Sequence, residues 1–271
     1  MDEKFARGRS AEIFHVDDGK VMKLFFADYP KEYAEKEYRN TKAVADLGCT
    51  GLNVYEMVEQ DGRFGFIMDK VDGVSQNDMP SKKPLYLFKG GKDLARCHVR
   101  IQKAHTKELD DVRKVCIDAL DTEPFDFLTA EEKAKATAYI NALPEDDTVL
   151  HLDFHTGNVL VDEKGDCKVI DWATGARGNR AVEESLMQFL FSDDVEMFPE
   201  ATPAQVKFFT FAKNIVAKAF FKEYQKLTPI SQEELDRYRL PAMIIRRSWG
   251  IESERVYLTN TIREMIRACA E

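Results

Sequence analysis

"HLDFHTGNVLVDEKGDCKVIDW", residues 151–172, decides how the chain is read. It sets Asp153 and Asn158 five positions apart, then brings in a third oxygen donor, Asp171, after two apolar runs. Those runs flank Lys164-Gly165 and read as two short strands joined by a tight turn. A hairpin of that length returns the chain to its start, so Asp171 is expected to face Asn158. Asp153 can accept a hydroxyl proton, Asn158 offers a neutral amide oxygen to a magnesium ion, and Asp171 offers a charged one. Phosphoryl transfer from a nucleotide needs those groups, together with positive charge on the phosphates.

The protein-kinase catalytic loop has the form H-R-D-L-x-x-x-N, with D-F-G further on. Here His151-Leu152-Asp153 and Asn158 keep the same spacing, and Asp171-Trp172-Ala173 stands where D-F-G would. The stretch closely resembles the aminoglycoside phosphotransferase family, whose members read H-x-D-x-H-x-x-N followed by I-D-W. His155 matches the second histidine of that pattern. The resemblance implies ATP and Mg2+ as cofactors, with Asp153 catalytic and Asn158 and Asp171 on the metal. It also implies a structural His151 and an apolar pocket for Trp172; His155 can pack or contact the substrate, and packing is the expectation. His15, His98 and His105 have no partner readable from the sequence.

A kinase needs a phosphate-covering hairpin, a strand lysine and a helix glutamate upstream, in that order. "GRSAEIFHVDDGKVMKLF" supplies the first two, with a turn over Gly8 to Ala11 that places Ser10 and Ala11 on the nucleotide. Asp18-Gly19 closes a hairpin. Lys23 lies inside the strand "KVMKLF", whereas Lys20 lies at its turn and is expected to be solvated. "PKEYAEKEYRNTKAVADLG" reads as a helix, with Pro30 in its first turn and Tyr33, Val44 and Leu47 on one stripe. Glu32, Glu35 and Glu37 are all available on it, and the resemblance favours Glu37 as the partner of Lys23. Two more strands meet at Asp61-Gly62. Met68 to Val71 then forms the connector, where the Met68 and Lys70 backbone is expected to hold the adenine.

Beyond Gly73 the pattern turns helical. "SQNDMPSKKP" reads as a loop, and the next helix offers Leu94, Cys97, Val99 and Ile101 to a core. Thr129 and Glu132 form a capping box at the start of another helix. Residues 203–227 read as a buried helix, since Phe208, Phe209, Phe211, Ile215, Val216, Phe220 and Phe221 all lie on it. About two helices follow. The expected fold class is α+β: a protein-kinase-like bilobal fold with a small antiparallel-sheet N-lobe carrying one helix (1–72) and a larger, mainly helical C-lobe (73–271). Past Asp171, "GARGNRAVEESL" departs from the family's G-D-P-x-x-D. Asn179 and Arg180 replace the acid and proline, and Glu183 takes the position of an acid that braces the catalytic loop.

Composition bounds the partners. The chain has 271 residues, 44% hydrophobic and 32% charged, with net charge −9, which disfavours nucleic acid and anionic membranes and suits a cationic small substrate. Its five cysteines are scattered and never in C-x-x-C, which points to a reducing cytoplasm rather than a zinc or disulfide framework. There is no signal-peptide pattern and no apolar run long enough for a bilayer, so a cytoplasmic monomer or weak dimer is expected. The reaction expected is transfer of phosphate to a hydroxyl of an aminoglycoside-, amino-sugar- or choline-like molecule. A catalytically silent nucleotide-binding pseudokinase and a protein kinase are the alternatives. Retention of Lys23, Asp153, Asn158 and Asp171 weighs against the first, and the lack of an A-P-E-like segment weighs against the second. Asp193, Asp194, Glu252 and Glu254 suit an amine, but read more simply as solvated surface.

Overall fold

Turn chemistry shapes the first sheet. Asp61 and Gly62 both have positive φ (53° and 72°), the backbone of a two-residue hairpin turn whose twist matches the flanking strands. The computed structural model describes residues 4–17, 19–192 and 202–269. Asp18, half of the expected Asp18-Gly19 turn, lies outside them, as do Asp193 and Asp194.

In chain order the strands are β1 (Lys4–Arg7), β2 (Ala11–Asp17), β3 (Lys20–Phe25), β4 (Val54–Gln60), β5 (Arg63–Asp69), β6 (Gly73–Ser75), β7 (Val149–Leu150), β8 (Val159–Asp162), β9 (Cys167–Val169) and β10 (Ala176–Arg177). The helices are α1 (Lys31–Asp46), α2 (Met79–Lys82), α3 (Leu87–Ile101), α4 (Val112–Leu120), α5 (Ala130–Ala142), α6 (Arg180–Phe191), α7 (Pro203–Leu227), α8 (Gln232–Ser248) and α9 (Arg255–Ala268). Contacts divide the chain into two units, residues 1–86 with 153–175, and residues 87–152 with 176–271. This division does not coincide with 1–72 and 73–271, because β6 pairs with β8 and so draws the catalytic-loop hairpin into the first unit.

The first unit carries an antiparallel sheet ordered β1-β2-β3-β5-β4 and a smaller one ordered β6-β8-β9. Phe25, Phe66, Val54 and Ala34 close the core between α1 and the larger sheet. Each fully buried aromatic there contributes roughly 1.5–3 kcal/mol. The expected apolar stripe on α1 needs correction. Val44 is buried, but Tyr33 and Leu47, at the two ends of the helix, are 56% and 43% exposed. Pro30 is the N-cap residue rather than part of the first turn. The covered middle of the helix is largely polar: Glu37, Asn40 and Thr41 are buried there.

"SQNDMPSKKP" is not a plain loop, since it contains the end of β6 and the short α2. The second unit is helical apart from the β7–β10 pair. The capping box at Thr129 and Glu132 is present, and α4 is an element that the sequence reading missed. Leu94, Cys97, Val99 and Ile101 are buried as expected. α7 is buried only toward its C-terminal end: Phe220 is fully covered, while Phe208 and Phe211 are about 60% exposed (61% and 59%). α3 and α7 approach closely because Gly91 is on the contact face. A Cβ at Gly91 would lie 2.3 Å from the Val216 carbonyl oxygen and 2.8 Å from the Ala219 Cβ. Gly91→Ala is therefore expected to lower stability by about 1–3 kcal/mol despite the better helix propensity of alanine, read as a lower urea midpoint at unchanged slope.

Candidate active site

β3 places Lys23 by pairing it with Phe66 of β5, so its side chain is fixed by the middle of the sheet. Lys23 Nζ donates to Glu37 Oε1 of α1, and also lies 3.5 Å from Asp171 Oδ1. Glu37 is 2% exposed and Lys23 12%, whereas Asp171 is 47% exposed. Burial works against the Lys23 charge, but the Glu37 and Asp171 carboxylates outweigh it and hold the ammonium pKa above the usual lysine value. Glu32 and Glu35 are exposed, as expected of acids that solvate a helix face. Lys20 ion-pairs with Asp17 at 3.5 Å and is 37% exposed.

Asp153, Asn158 and Asp171 belong to the same unit. Asn158 Nδ2 donates to the Asp153 carbonyl oxygen at 2.9 Å and approaches Asp153 Oδ2 at 3.4 Å. Its amide nitrogen is thus committed, so the atom that Asn158 could offer a cation is the side-chain carbonyl oxygen. The Ile170 N–H donates to the Asn158 carbonyl at 3.0 Å, so the β8–β9 hairpin returns to Asn158 one residue before Asp171. Asp171 itself has φ +65°, a left-handed conformation that aspartate tolerates better than most residues. Trp172 is fully buried, and its Nε1–H donates to the Val169 carbonyl. Asn40, unremarked in the sequence, donates to the carbonyls of Trp172 and Gly175 at 3.2 and 3.0 Å, tying α1 to the segment after Asp171.

His155 does not pack. Its side chain is 48% exposed, with Nε2 3.7 Å from Asp153 Oδ1 and Nδ1 accepting the Gly157 N–H. Around the candidate nucleotide contacts, the Gly8 N–H donates to the Ala11 carbonyl and the Phe26 N–H to that of Ser10. Met68 and Asp69 are inside β5, and the Lys70 N–H donates to the Gly19 carbonyl at 2.8 Å.

In the second unit, Glu183 Oε1 accepts the backbone N–H groups of His151 and Leu152, both at 2.7 Å. The brace that the resemblance implied for this position is formed by glutamate. Asn179 caps α6 by accepting the Ala181 N–H, and Arg180 donates to the Pro229 carbonyl. His151 is fully buried.

The description "Phosphotransferase enzyme family" matches residues 3–205 of the chain. The chain belongs to the phosphotransferase enzyme family. It is a kinase with an alcohol group as acceptor. Solved structures of aminoglycoside phosphotransferases share the fold of this phosphotransferase. APH(4)-Ia is 15% identical, with TM-score 0.62, over 100% of this chain and 94% of that one. A thermostable APH(4)-Ia mutant in a ternary complex with AMP-PNP and hygromycin B is 14% identical, with TM-score 0.61, over 98% and 93%. The streptomycin–ATP–APH(2")-IIa ternary complex is 14% identical, with TM-score 0.55, over 99% and 91%. No curated protein matches the phosphotransferase by sequence.

The sequence offered no partners for His98 and His105, and the structure supplies them. His105 Nδ1 lies 2.8 Å from Asp147 Oδ1, and His98 is fully buried against Glu183 and Glu184. Neither pairing had a local signal, since the partners are tens of residues away. Glu254 is not solvated surface: Arg246 holds both its oxygens at 2.6 and 2.7 Å. Glu252 is exposed and paired with Arg255. Among the described residues no cysteines form a disulfide, and no helix is long and apolar enough to cross a membrane.

Proposed function

We propose that this phosphotransferase moves the γ-phosphate of ATP to a hydroxyl of a small aminoglycoside-, amino-sugar- or choline-like molecule. The observation that carries this reading is Lys23, held ionised between Glu37 and Asp171 in the unit that also contains the Asp153–Asn158 pair. Lys23 binds the α- and β-phosphates and is oriented by Glu37. The Gly8–Ala11 turn, with Ser10 and Ala11, covers the phosphates. Met68 and Lys70 hold the adenine through the backbone; at Lys70 that contact falls to the carbonyl, because its N–H is given to Gly19. In this reading residues 1–72 bind the nucleotide and 73–271 carry the catalytic loop and the acceptor site.

The oxygen donors of Asn158 and Asp171 are hard ligands of the kind magnesium takes beside phosphate. When bound there, the ion neutralises phosphate oxygens as charge develops on them. Asp153 orients the acceptor hydroxyl and takes its proton. Because the transition state is loose, placement of that hydroxyl matters more than the basicity of Asp153. The net charge of −9 favours an amine-bearing acceptor. The protein is proposed to act in the cytoplasm as a monomer or weak dimer, without nucleic acid or membrane.

The test is coupled ADP release with magnesium and ATP against aminoglycosides, amino sugars, choline-like amines and common hydroxylated metabolites. Asp153→Ala protein serves as the blank. Turnover on at least one compound, lost in the variant, is expected. Turnover that survives in Asp153→Ala would remove Asp153 from its role, and silence on every compound with ATP bound would overturn the acceptor class.

A further inference from the structure

The second unit contains a buried polar cluster that the reaction described above does not use. His98 of α3 and Glu183 and Glu184 of α6 are each 2% exposed or less. His98 Nε2 is 2.7 Å from Glu183 Oε2, and its Nδ1 faces Glu184 Oε1 at 3.0 Å. A neutral imidazole has only one N–H, so a ring with a glutamate side chain facing each nitrogen is the arrangement that favours the doubly protonated form. Gln102 Nε2 lies 3.1 Å from Glu183 Oε2, while Gln102 Oε1 accepts the Tyr224 hydroxyl at 2.7 Å, which fixes the amide with its nitrogen toward Glu183. Phe220 and Tyr224 place their rings 5.8 Å from the His98 ring, within reach of a cation–π contact.

The two oxygens of Glu183 do different things. Oε2 takes His98 and Gln102, and Oε1 takes the N–H groups of His151 and Leu152. Leu152 stands at φ +64°, a strained conformation for leucine that persists only where its surroundings enforce it. The next residue is Asp153. We propose that His98 is a positioning residue for the acceptor base: a buried imidazolium that holds Glu183 on the His151 and Leu152 backbone leading into Asp153. Removing the cation leaves Glu183 buried without its counter-charge, and such a carboxylate turns toward water or takes up a proton. Either change loosens Oε1 from the two N–H groups.

Electrostatics agrees with the geometry. Burial alone would strip the proton from His98, but Glu183 and then Glu184 reverse this and raise its pKa to about 10. Burial pushes Glu183 up, yet His98, His151 and the Leu152 N–H bring it below the usual glutamate value. Burial raises Glu184, with His98 opposing, and Tyr224 is pushed up by burial and by Glu184 while Arg180 acts against it. The cluster is thus one close His98–Glu183 pair with the Glu184 carboxyl facing the other ring nitrogen. A histidine raised in the folded state stabilises fully below its unfolded pKa, about 6.5, and that contribution is lost as pH rises through about 10.

The proposal rests on Asp153 as the base only for its catalytic consequence, so the deciding measurements use no acceptor. In the wild-type protein, 15N spectra of the histidine rings at pH 8 should show both nitrogens of His98 protonated; a neutral ring with one N–H overturns the proposal. In His98→Gln, the amides of His151 and Leu152 should exchange with deuterium at least about tenfold faster, while Val149 and Leu150 in the β7–β10 ladder keep wild-type rates. Unchanged exchange at 151 and 152 overturns it as well. If the variant loses protection throughout, the wild-type ring spectrum decides alone. With an acceptor in hand, His98→Gln should lower kcat about tenfold at unchanged KM for ATP, because His98 touches none of the nucleotide residues. Failure of the acceptor panel alone counts against the proposed reaction and leaves the ring and exchange results standing.

Discussion

Asp171→Asn is expected to lower kcat/KM about a thousandfold, roughly 4 kcal/mol of transition-state stabilisation, while the urea midpoint hardly moves. The substitution removes one negative charge and little else. Asp171 has φ +65°, and asparagine adopts that conformation as readily as aspartate, so the backbone stays put. Alanine there would add about 1 kcal/mol of strain and confuse the two effects. The Lys23 contact at 3.5 Å is half exposed on the Asp171 side, and its loss costs well under 1 kcal/mol. Lys23 keeps Glu37, which is almost fully buried and lies closer. A ligand role therefore shows itself as a steep rise in the magnesium needed for turnover, with folding unaffected. Activity within tenfold of wild type at the same magnesium dependence would sink the metal assignment.

What was legible in the sequence was what is local or ordered along the chain. The Asp153–Asn158 spacing and the Lys164-Gly165 hairpin are fixed by fewer than twenty residues, and Gly165 takes the expected positive φ. Lys23 could be anticipated from its place in a strand, whereas order and element type left Glu32, Glu35 and Glu37 open and only the family resemblance favoured Glu37; the structure pairs Lys23 with Glu37 and sets it 3.5 Å from Asp171. The inward face of α1 was misread because apolar periodicity assumes an apolar interior. Here the middle of that face carries Glu37, Asn40 and Thr41, each bonded to a specific partner. α7 was read as buried from its seven apolar residues, but composition does not say which stretch of a long helix has neighbours. The His98 cluster was out of reach for another reason. It is assembled from α3, α6 and α7, and only helix packing brings residues 98, 183, 184 and 224 together.

That division separates two kinds of support for the proposed step. The first unit holds charges in register by sheet pairing, at Lys23, and by a hairpin, at Asn158 and Asp171. The second holds backbone: Glu183 fixes the two residues that precede Asp153. Errors in the two should have different signatures. A lost charge changes the demand for magnesium or ATP, whereas a loosened backbone changes turnover at constant affinity.

Asp153→Asn tests the step itself, and is expected to lower kcat by 10²- to 10⁴-fold, roughly the range for loss of a positioned general base. The shape of the side chain is kept, and the Asn158 Nδ2 bond to the backbone carbonyl of residue 153 does not depend on the carboxylate. The weaker 3.4 Å approach of Asn158 Nδ2 to Asp153 Oδ2 is lost or turned around, a small perturbation for a side chain already partly exposed. ATP affinity and the magnesium requirement should therefore stay within about twofold, in contrast to Asp171→Asn. A loose transition state places the loss toward the lower end of the range, since an asparagine amide can still orient a hydroxyl without taking its proton. The measurement is kcat against pH for both proteins, with the magnesium titration repeated on the variant. A variant that loses turnover together with its response to magnesium would move Asp153 from the acceptor side of the reaction to the metal side. Full activity would mean that another group takes the proton; His155 Nε2, 3.7 Å from Asp153 Oδ1, is then the first to examine.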